Sequence, residues 1–243
     1  MKIAILGYGK MGHAIERIAL SRGHEIVAAI DVDNRSEIDS PAFASADVAI
    51  EFSNPTAAFD NCCDALRRGV AVVSGSTAWT DRLPEVRKLV EERGGSFIWS
   101  SNYSLGVNIF FELNRRLAAM MNRFPQYAPS MREIHHIHKL DHPSGTAVSL
   151  AGDIVEALDR IDGWTEEEGR ADLLPIAHER VGEVPGTHII EWKSPVDVIT
   201  IEHRALSRDG FALGAVMAAE WLPANPGFRT MAEFMDYLFN NAR

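Results

Sequence analysis

Apolar positions in the first hundred residues form short continuous runs, separated by stretches with helical spacing. Lys2–Leu6 predicts a strand. Residues 11–22 predict a helix, with apolar side chains at Met11, Ile15, Ile18 and Ala19 and Gly23 as its stop. Further strands are expected at Glu25–Ile30, 48–50, 70–73 and Ser96–Trp99, and helices at 55–68 and 82–93, with Pro55 in a first helical turn. Strands this short and this apolar, alternating with helices, point to a parallel sheet covered on both faces.

The alternation breaks near residue 104. A long amphipathic helix is expected over 105–123, then strand-like runs at 131–140, 188–192 and 196–202. The acidic stretch 159–172 reads as a solvated loop or helix end, and helical spacing returns from residue 209 through Trp221 and over 229–241. The expected fold class is therefore α/β. Residues 1–104 and 209–243 form a Rossmann-type dinucleotide-binding domain, interrupted by an α+β domain at 105–208.

Composition narrows the function classes. At 243 residues, 46% apolar and 24% charged, the chain is globular and large enough for one big domain or two moderate ones. Its net charge of −10 argues against nonspecific nucleic-acid binding. Cys62 and Cys63 are adjacent, cannot staple distant segments, and suit a reducing cytoplasm. The apolar run at 3–6 is too short for a signal segment. The run at 211–222 carries Glu220 and falls short of a membrane span, so no membrane partner is expected.

Gly7-Tyr8-Gly9-Lys10-Met11-Gly12 is a GxGxxG turn directly after a strand and opening a helix, and Asp31 lies 19 residues after Gly12. The first glycine makes the tight turn, the second lets backbone approach a pyrophosphate, and the third lets helix and strand pack closely. The helix N-terminus presents free N–H groups to phosphate, and Asp31 can accept hydrogen bonds from a ribose diol. A carboxylate there repels a 2′-phosphate, and Val32 and Asp33 follow rather than an arginine. NADH is therefore favoured, with NADPH open because Lys10 or Arg35 could reach a phosphate.

The insert carries different chemistry. Residues 133–146 hold four of the nine histidines within eight positions, together with Lys139, and residues 101–145 carry five Lys/Arg against three Asp/Glu. Pro143-Ser144-Gly145-Thr146 opens an apolar helical run in which Ser144 or Thr146 could be the N-cap. A lysine, imidazoles and a helix N-terminus together suit a small anionic substrate. No metal is assigned, because His135, His136 and His138 lack the helical HExxH arrangement and any nearby cysteine. On a continuous strand, Glu133, His135, Ile137 and Lys139 share one face, and Ile134, His136 and His138 the other. His135 and Lys139 would then stand ~13 Å apart, too far for one small ligand unless the strand ends or bends. Spacing alone leaves each histidine open between a structural and a catalytic role.

Residues 133–147 resemble the E-x-x-H-x-x-K-x-D-x-P-S-G-T-A signature of the 4-hydroxy-tetrahydrodipicolinate (dihydrodipicolinate) reductase family. The likeness extends over nearly the whole chain. It includes the GYGKMG turn, Gly75-Ser76-Thr77, Ser100-Ser101-Asn102-Tyr103-Ser104 with Gly106-Val107-Asn108, Arg180-Val181-Gly182 with Gly186-Thr187-His188, and His203-Arg204-Ala205 with Ser207-Arg208. The chain departs from the family pattern in being shorter between Asp31 and Asp47 and in having Ser rather than Thr at 76.

The resemblance implies NAD(P)H-dependent reduction of 4-hydroxy-tetrahydrodipicolinate to tetrahydrodipicolinate with loss of water, in lysine/diaminopimelate biosynthesis. It implies that Gly7, Tyr8, Gly9, Lys10, Met11 and Gly12 hold the pyrophosphate and Asp31 the adenosine ribose. Gly75, Ser76, Thr77, Ser100, Ser101, Asn102 and Tyr103 would line the nicotinamide side. It makes His135 the general acid/base and Lys139 the proton donor, with His136, Lys139, Ser144, Gly145 and Thr146 binding a cyclic dicarboxylate. It further implies that the insert closes over the cofactor through a hinge at 103–107 and carries a homotetramer interface. Two other readings stand beside it. A different reductase on this scaffold should lack the 133–147 run, and a nonenzymatic NAD(H) sensor acting on DNA should show a basic recognition helix, which is not seen.

Overall fold

The computed structural model describes residues 1–167 and 169–241. Glu168, within the acidic stretch, and residues 242–243, within the expected first domain, lie outside the described residues. The chain divides into two compact units, Met1–Leu105 with Arg208–Arg243, and Gly106–Ser207.

In chain order the first unit runs β1 (Lys2–Leu6), α1 (Lys10–Ser21), β2 (Glu25–Ile30), a 3-10 segment (Val32–Asp39), α2 (Pro41–Ala44), β3 (Val48–Glu51), α3 (Pro55–Arg67), β4 (Ala71–Ser74), α4 (Leu83–Arg93) and β5 (Ser96–Trp99). The second unit holds most of α5 (Leu105–Met121), then β6 (Ala128–His135), α6 (Gly145–Ala157), β7 (Gly163–Thr165), β8 (Leu173–Arg180), β9 (Thr187–Lys193) and β10 (Val198–Arg204). The chain returns to the first unit with α7 (Asp209–Trp221), β11 (Gly227–Arg229) and α8 (Met231–Asn241).

The first sheet is parallel throughout, in the order β11-β5-β4-β3-β1-β2. Alternate side chains of its strands feed two cores. Ile3, Ile5, Val48, Ile50, Val73 and Ile98 pack with α1, α7 and α8, while Ala4, Leu6, Ala49, Val72 and Phe97 pack with α3 and α4. This two-sided burial explains the unbroken apolar runs. The strand order reverses between β1 and β3, the switch point at which ligands bind beyond the carboxyl ends of the strands. Between Asp31 and Asp47 the 3-10 segment and the one-turn α2 replace any further strand.

The second sheet is mixed, in the order β10-β9-β6-β8-β7. One face packs Met131, Leu174, Ile176, Ile190 and Trp192 against Phe110, Leu117 and Ala118 of α5 and Leu150, Ala151 and Ile154 of α6. The expected strand over 131–140 stops at His135 instead. Its neighbours end at the same level, since β8 pairs only as far as Arg180, opposite His135, and β9 pairs only from Thr187, opposite Ile134. With no partner strand left, the chain turns, and the Lys139 amide donates to the His136 carbonyl at 3.1 Å. The acidic stretch also holds more than a loop, because β7 pairs in parallel with the start of β8. Strand β8 was hidden by Pro175 and by the polar run at 178–180.

Candidate active site

In the first unit, the glycine turn is shaped by collisions that side chains would cause. Gly7 has φ +94°, and a Cβ there would stand 2.4 Å from the Phe52 carbonyl oxygen. A Cβ on Gly12 would stand 2.4 Å from the Gly7 carbonyl oxygen. Gly9, the N-cap of α1, faces open space, and nothing lies within 4 Å of a Cβ there. The turn thus leaves room for a phosphate group above unsatisfied helix N–H groups. Tyr8 bonds through its hydroxyl to Glu16 and packs on His13.

A pocket of about 490 Å³ adjoins the turn, lined among others by Gly7, Asp31, Arg35, Ser53, Asp60 and Asn61. It lies at the carboxyl ends of β1, β2 and β3, as the switch point requires. Asp31 accepts from the Tyr8 amide at 3.2 Å and the Val32 amide at 2.9 Å, so it braces the glycine turn as well as facing the pocket. Arg35 is paired with Asp64 at 2.7 Å. Asn61 donates to Ser53 Oγ at 3.2 Å, while its buried Oδ1 has no partner. Pocket, open glycine and spare acceptor together fit a dinucleotide. Lys10 is not part of the pocket wall.

Beyond β4, the turn at Gly75-Ser76-Thr77 is held from below. Ser76 Oγ donates to the fully buried Glu51 at 2.8 Å, and Glu51 also accepts from Ser74 Oγ at 2.6 Å and from the amide of Ser53 at 2.9 Å. The Trp79 and Trp99 indoles both donate to the Ser76 carbonyl at 2.8 Å. Ser100 and Asn102 bond to one another. Tyr103 is a core residue, since its hydroxyl donates to the carbonyls of Ser74 and Ile98. Its side chain is committed inside the fold, and burial pushes its phenol well above the ordinary value.

The second unit builds its cluster around Glu133, buried in the middle strand β6. Register sets Glu133 opposite His188 on β9 and His135 opposite Arg180 on β8. Both Glu133 oxygens accept from the Ser144 amide at 3.1 Å, Arg180 Nη2 lies 3.3 Å away, and His135 Nδ1 lies 3.4 Å away. Burial acts to raise the Glu133 carboxyl, but the hydrogen bonds from Ser144, aided by the electrostatic attraction of His135 and His188, outweigh it, and the net shift is downward. Burial lowers His135, with Lys139 and Arg180 adding to this and Glu133 opposing it. Burial, followed by His135, pushes His188 down to about 4. Both imidazoles are therefore neutral at pH 7.

Arg180 also fixes the loop after β6. Its Nε donates to the Lys139 carbonyl at 3.2 Å and its Nη2 to the Asp141 carbonyl at 2.7 Å. Lys139 Nζ is held by both Asp141 oxygens at 2.8 and 2.9 Å, and that ammonium holds the Asp141 carboxyl below its ordinary value. Ser144 is the N-cap of α6, its Oγ accepting from the Ala147 amide at 3.2 Å, and it also lies 3.2 Å from His188 Nε2. A Cβ on Gly145 would meet nothing within 4 Å, so the first turn of α6 opens on free space beside Thr146. His136 keeps a buried Nδ1 without a partner.

The structure thus gathers His135, Ser144 and the Lys139 loop around one carboxylate. Glu133, Arg180 and His188 had no role from sequence alone. They stand inside recognisable motifs, but only strand register shows that they touch.

Parallel sheet, open glycine turn and a separate unit with a buried, polar, cation-flanked cluster define a two-unit dehydrogenase or reductase of the Rossmann class. The chain belongs to the dihydrodipicolinate reductase family. Residues 1–103 match the model described as dihydrodipicolinate reductase, N-terminus, and 106–235 the one described as dihydrodipicolinate reductase, C-terminus. It is 46% identical over 241 residues to the 4-hydroxy-tetrahydrodipicolinate reductase of Christiangramia forsetii, covering 99% of this chain and 100% of that protein. It is 34% identical to the enzyme of the same name from Archaeoglobus fulgidus, covering 97% and 100%. Among solved structures, a dipicolinate-bound dihydrodipicolinate reductase from Paenisporosarcina sp. TG-14 shares the fold, with TM-score 0.74, 22% identity and 95% and 97% coverage. The family comprises nicotinamide-dinucleotide oxidoreductases that reduce 4-hydroxy-tetrahydrodipicolinate in lysine and diaminopimelate biosynthesis. No described helix is long and apolar enough to cross a membrane.

Proposed function

We propose that the first unit holds NADH in preference to NADPH, and that the second unit holds the substrate and supplies the proton chemistry. The observation that carries this reading is the juxtaposition of Lys139, His135 and the open first turn of α6 around Glu133. Residues 7–12 would cradle the pyrophosphate and Asp31 the adenosine ribose. Residues 75–77 and 100–102, with the backbone of Tyr103, would line the nicotinamide side. Arg35 is engaged by Asp64, and Asp31 and Asp60 face the same pocket, so a 2′-phosphate would meet net negative charge.

When bound, the dinucleotide supplies a hydride. Reduction of a conjugated imine leaves negative charge on the substrate, and the Lys139 ammonium, released from Asp141, donates the proton that neutralises it. His135, kept neutral by burial, is in the form able to accept the ring proton lost with water. His136, Ser144, Gly145 and Thr146 would bind the two carboxylates, which agrees with the dipicolinate named for the Paenisporosarcina enzyme. Among the described residues, α5 and α6 both pack on one face of the second sheet, which leaves the other face for a homotetramer interface. Cys62 and Cys63, free and buried, suit a cytoplasmic setting.

A coupled assay tests the reading. Pyruvate and aspartate semialdehyde, with a purified synthase, generate the unstable substrate in place, and NADH or NADPH oxidation is followed by absorbance. Faster oxidation of NADH, lost in Lys139→Ala, is expected. Equal rates with NADPH would overturn the cofactor assignment, and undiminished turnover in the variant would overturn the role of Lys139.

A further inference from the structure

The loop leading into α6 also belongs to a second cluster, outside the site described above. His142 Nδ1 lies 2.8 Å from Glu166 Oε2, just past β7, and His178 Nδ1, on β8, lies 3.1 Å from the same oxygen. The two imidazoles stack with centroids 4.4 Å apart and planes 17° apart. The three donor atoms all fall within 4.8 Å of one another, and all three side chains reach solvent. Among the described residues, Glu166 forms ion pairs with these two imidazoles alone.

Two imidazole nitrogens and a carboxylate oxygen are the donor set of zinc-type ions. Bonds of ~2.0–2.2 Å in a tetrahedral site place donors roughly 3.3–3.6 Å apart. The His178 separation of 3.1 Å is close to that spacing and the His142 separation of 2.8 Å is shorter, so the two exposed, stacked rings turn apart to direct both Nδ1 lone pairs at the ion. The three residues come from three separate segments, so the convergence is not a by-product of local sequence. We propose that His142, Glu166 and His178 bind a divalent transition ion of the zinc class, with water completing its coordination. The bound ion ties the loop before Ser144 to β7 and β8. The buried Glu133, His135 and His188 group is a poorer host. Its carboxylate already accepts from Ser144 and Arg180, and the Lys139 and Arg180 charges stand near its imidazoles.

Cobalt(II) titration of the chelator-treated full-length chain tests this, because ligand-field absorption reports inner-sphere nitrogen ligands independently of turnover. One saturable equivalent, displaced by zinc, is expected. His142→Ala and His178→Ala should each weaken binding roughly 100-fold or more. His142 is exposed and in a loop, so its variant keeps the test alive if His178→Ala fails to fold. Zinc should also raise the thermal midpoint of the wild type and leave His142→Ala unmoved. Absence of saturable binding, binding unchanged in His142→Ala, or binding abolished by His188→Ala but not by His142→Ala would each overturn the site. The first of these would leave the cluster as a surface contact in which His142 alone is hydrogen-bonded to Glu166.

Discussion

The glycine turn of the first unit and the Glu133 cluster of the second are built from opposite materials. The turn is main chain: its surface is the N-terminus of α1, and its glycines serve by lacking side chains. The cluster is side chain: a buried carboxylate, two neutral imidazoles, a guanidinium and a lysine, brought together by three strands and a loop. A backbone site tolerates changes in its neighbours but no added Cβ at Gly7 or Gly12. A side-chain site tolerates small steric changes but not the loss of a single charge, because buried charges depend on one another.

The largest effect is expected at Lys139. Lys139→Ala should lower kcat about 10²–10⁴-fold with the fold intact, as loss of a general acid does, measured in the coupled assay beside far-UV circular dichroism. Next, Glu133→Ala leaves the Ser144 amide and Arg180 without their buried partner. It should destabilise the chain by about 3–5 kcal/mol in urea denaturation. A change below 1 kcal/mol would mean that the second unit does not depend on its central carboxylate.

The pH dependence of stability sharpens the contrast further. His188 binds its proton at about 4 in the folded chain and near 6.5 when unfolded. Between those values the unfolded state holds more protons, so stability is fully present above pH 6.5 and is lost as pH falls toward 4. The loss is on the order of 3 kcal/mol. It should flatten in His188→Gln, as read from denaturation midpoints across that window.

Smaller effects belong to the backbone site. Gly12→Ala forces the Gly7 carbonyl to shift and should cost about 1–3 kcal/mol. It should also weaken NADH binding in a fluorescence titration, whereas Asp31→Ser removes the carboxylate while keeping one acceptor for the amides that brace the turn. That second change should improve NADPH relative to NADH about tenfold, equivalent to 1.4 kcal/mol. An unchanged cofactor ratio would locate the discrimination elsewhere in the pocket.

Much of the first unit was readable because its signals are local. Strand, glycines, helix and Asp31 follow one another within 31 residues, and continuous burial marks each strand. What escaped were its shortest pieces, α2 and β11, too brief for periodicity to register. In the second unit Ser144 stood out as one of two candidate caps, and the structure selects it over Thr146. The strand expected over 131–140 ends five residues early, at His135, because the neighbouring strands end there and the local sequence does not show it. Tyr103 shows the limit from the other side. The motif implies a place beside the cofactor, and because the side chain closes the core between Ser74 and Ile98, only the backbone is left for that role.

The sequence by itself determined the parallel sheet, the dinucleotide turn, the interruption near residue 104 and the residues of the 133–147 run. These depend on spacing within one element and its next neighbour. Only the tertiary structure decided that β6 ends at His135, that Arg180 pins the Lys139 loop, that Glu133 lies between His135 and His188, and that His142 meets Glu166 and His178. The long-range contacts among these join positions 24 to 55 apart, as from His142 to Glu166 and from Glu133 to His188. The contacts between strands are fixed by register and those of the loop by where β6 ends, and no local pattern encodes which residue of a distant strand stands opposite.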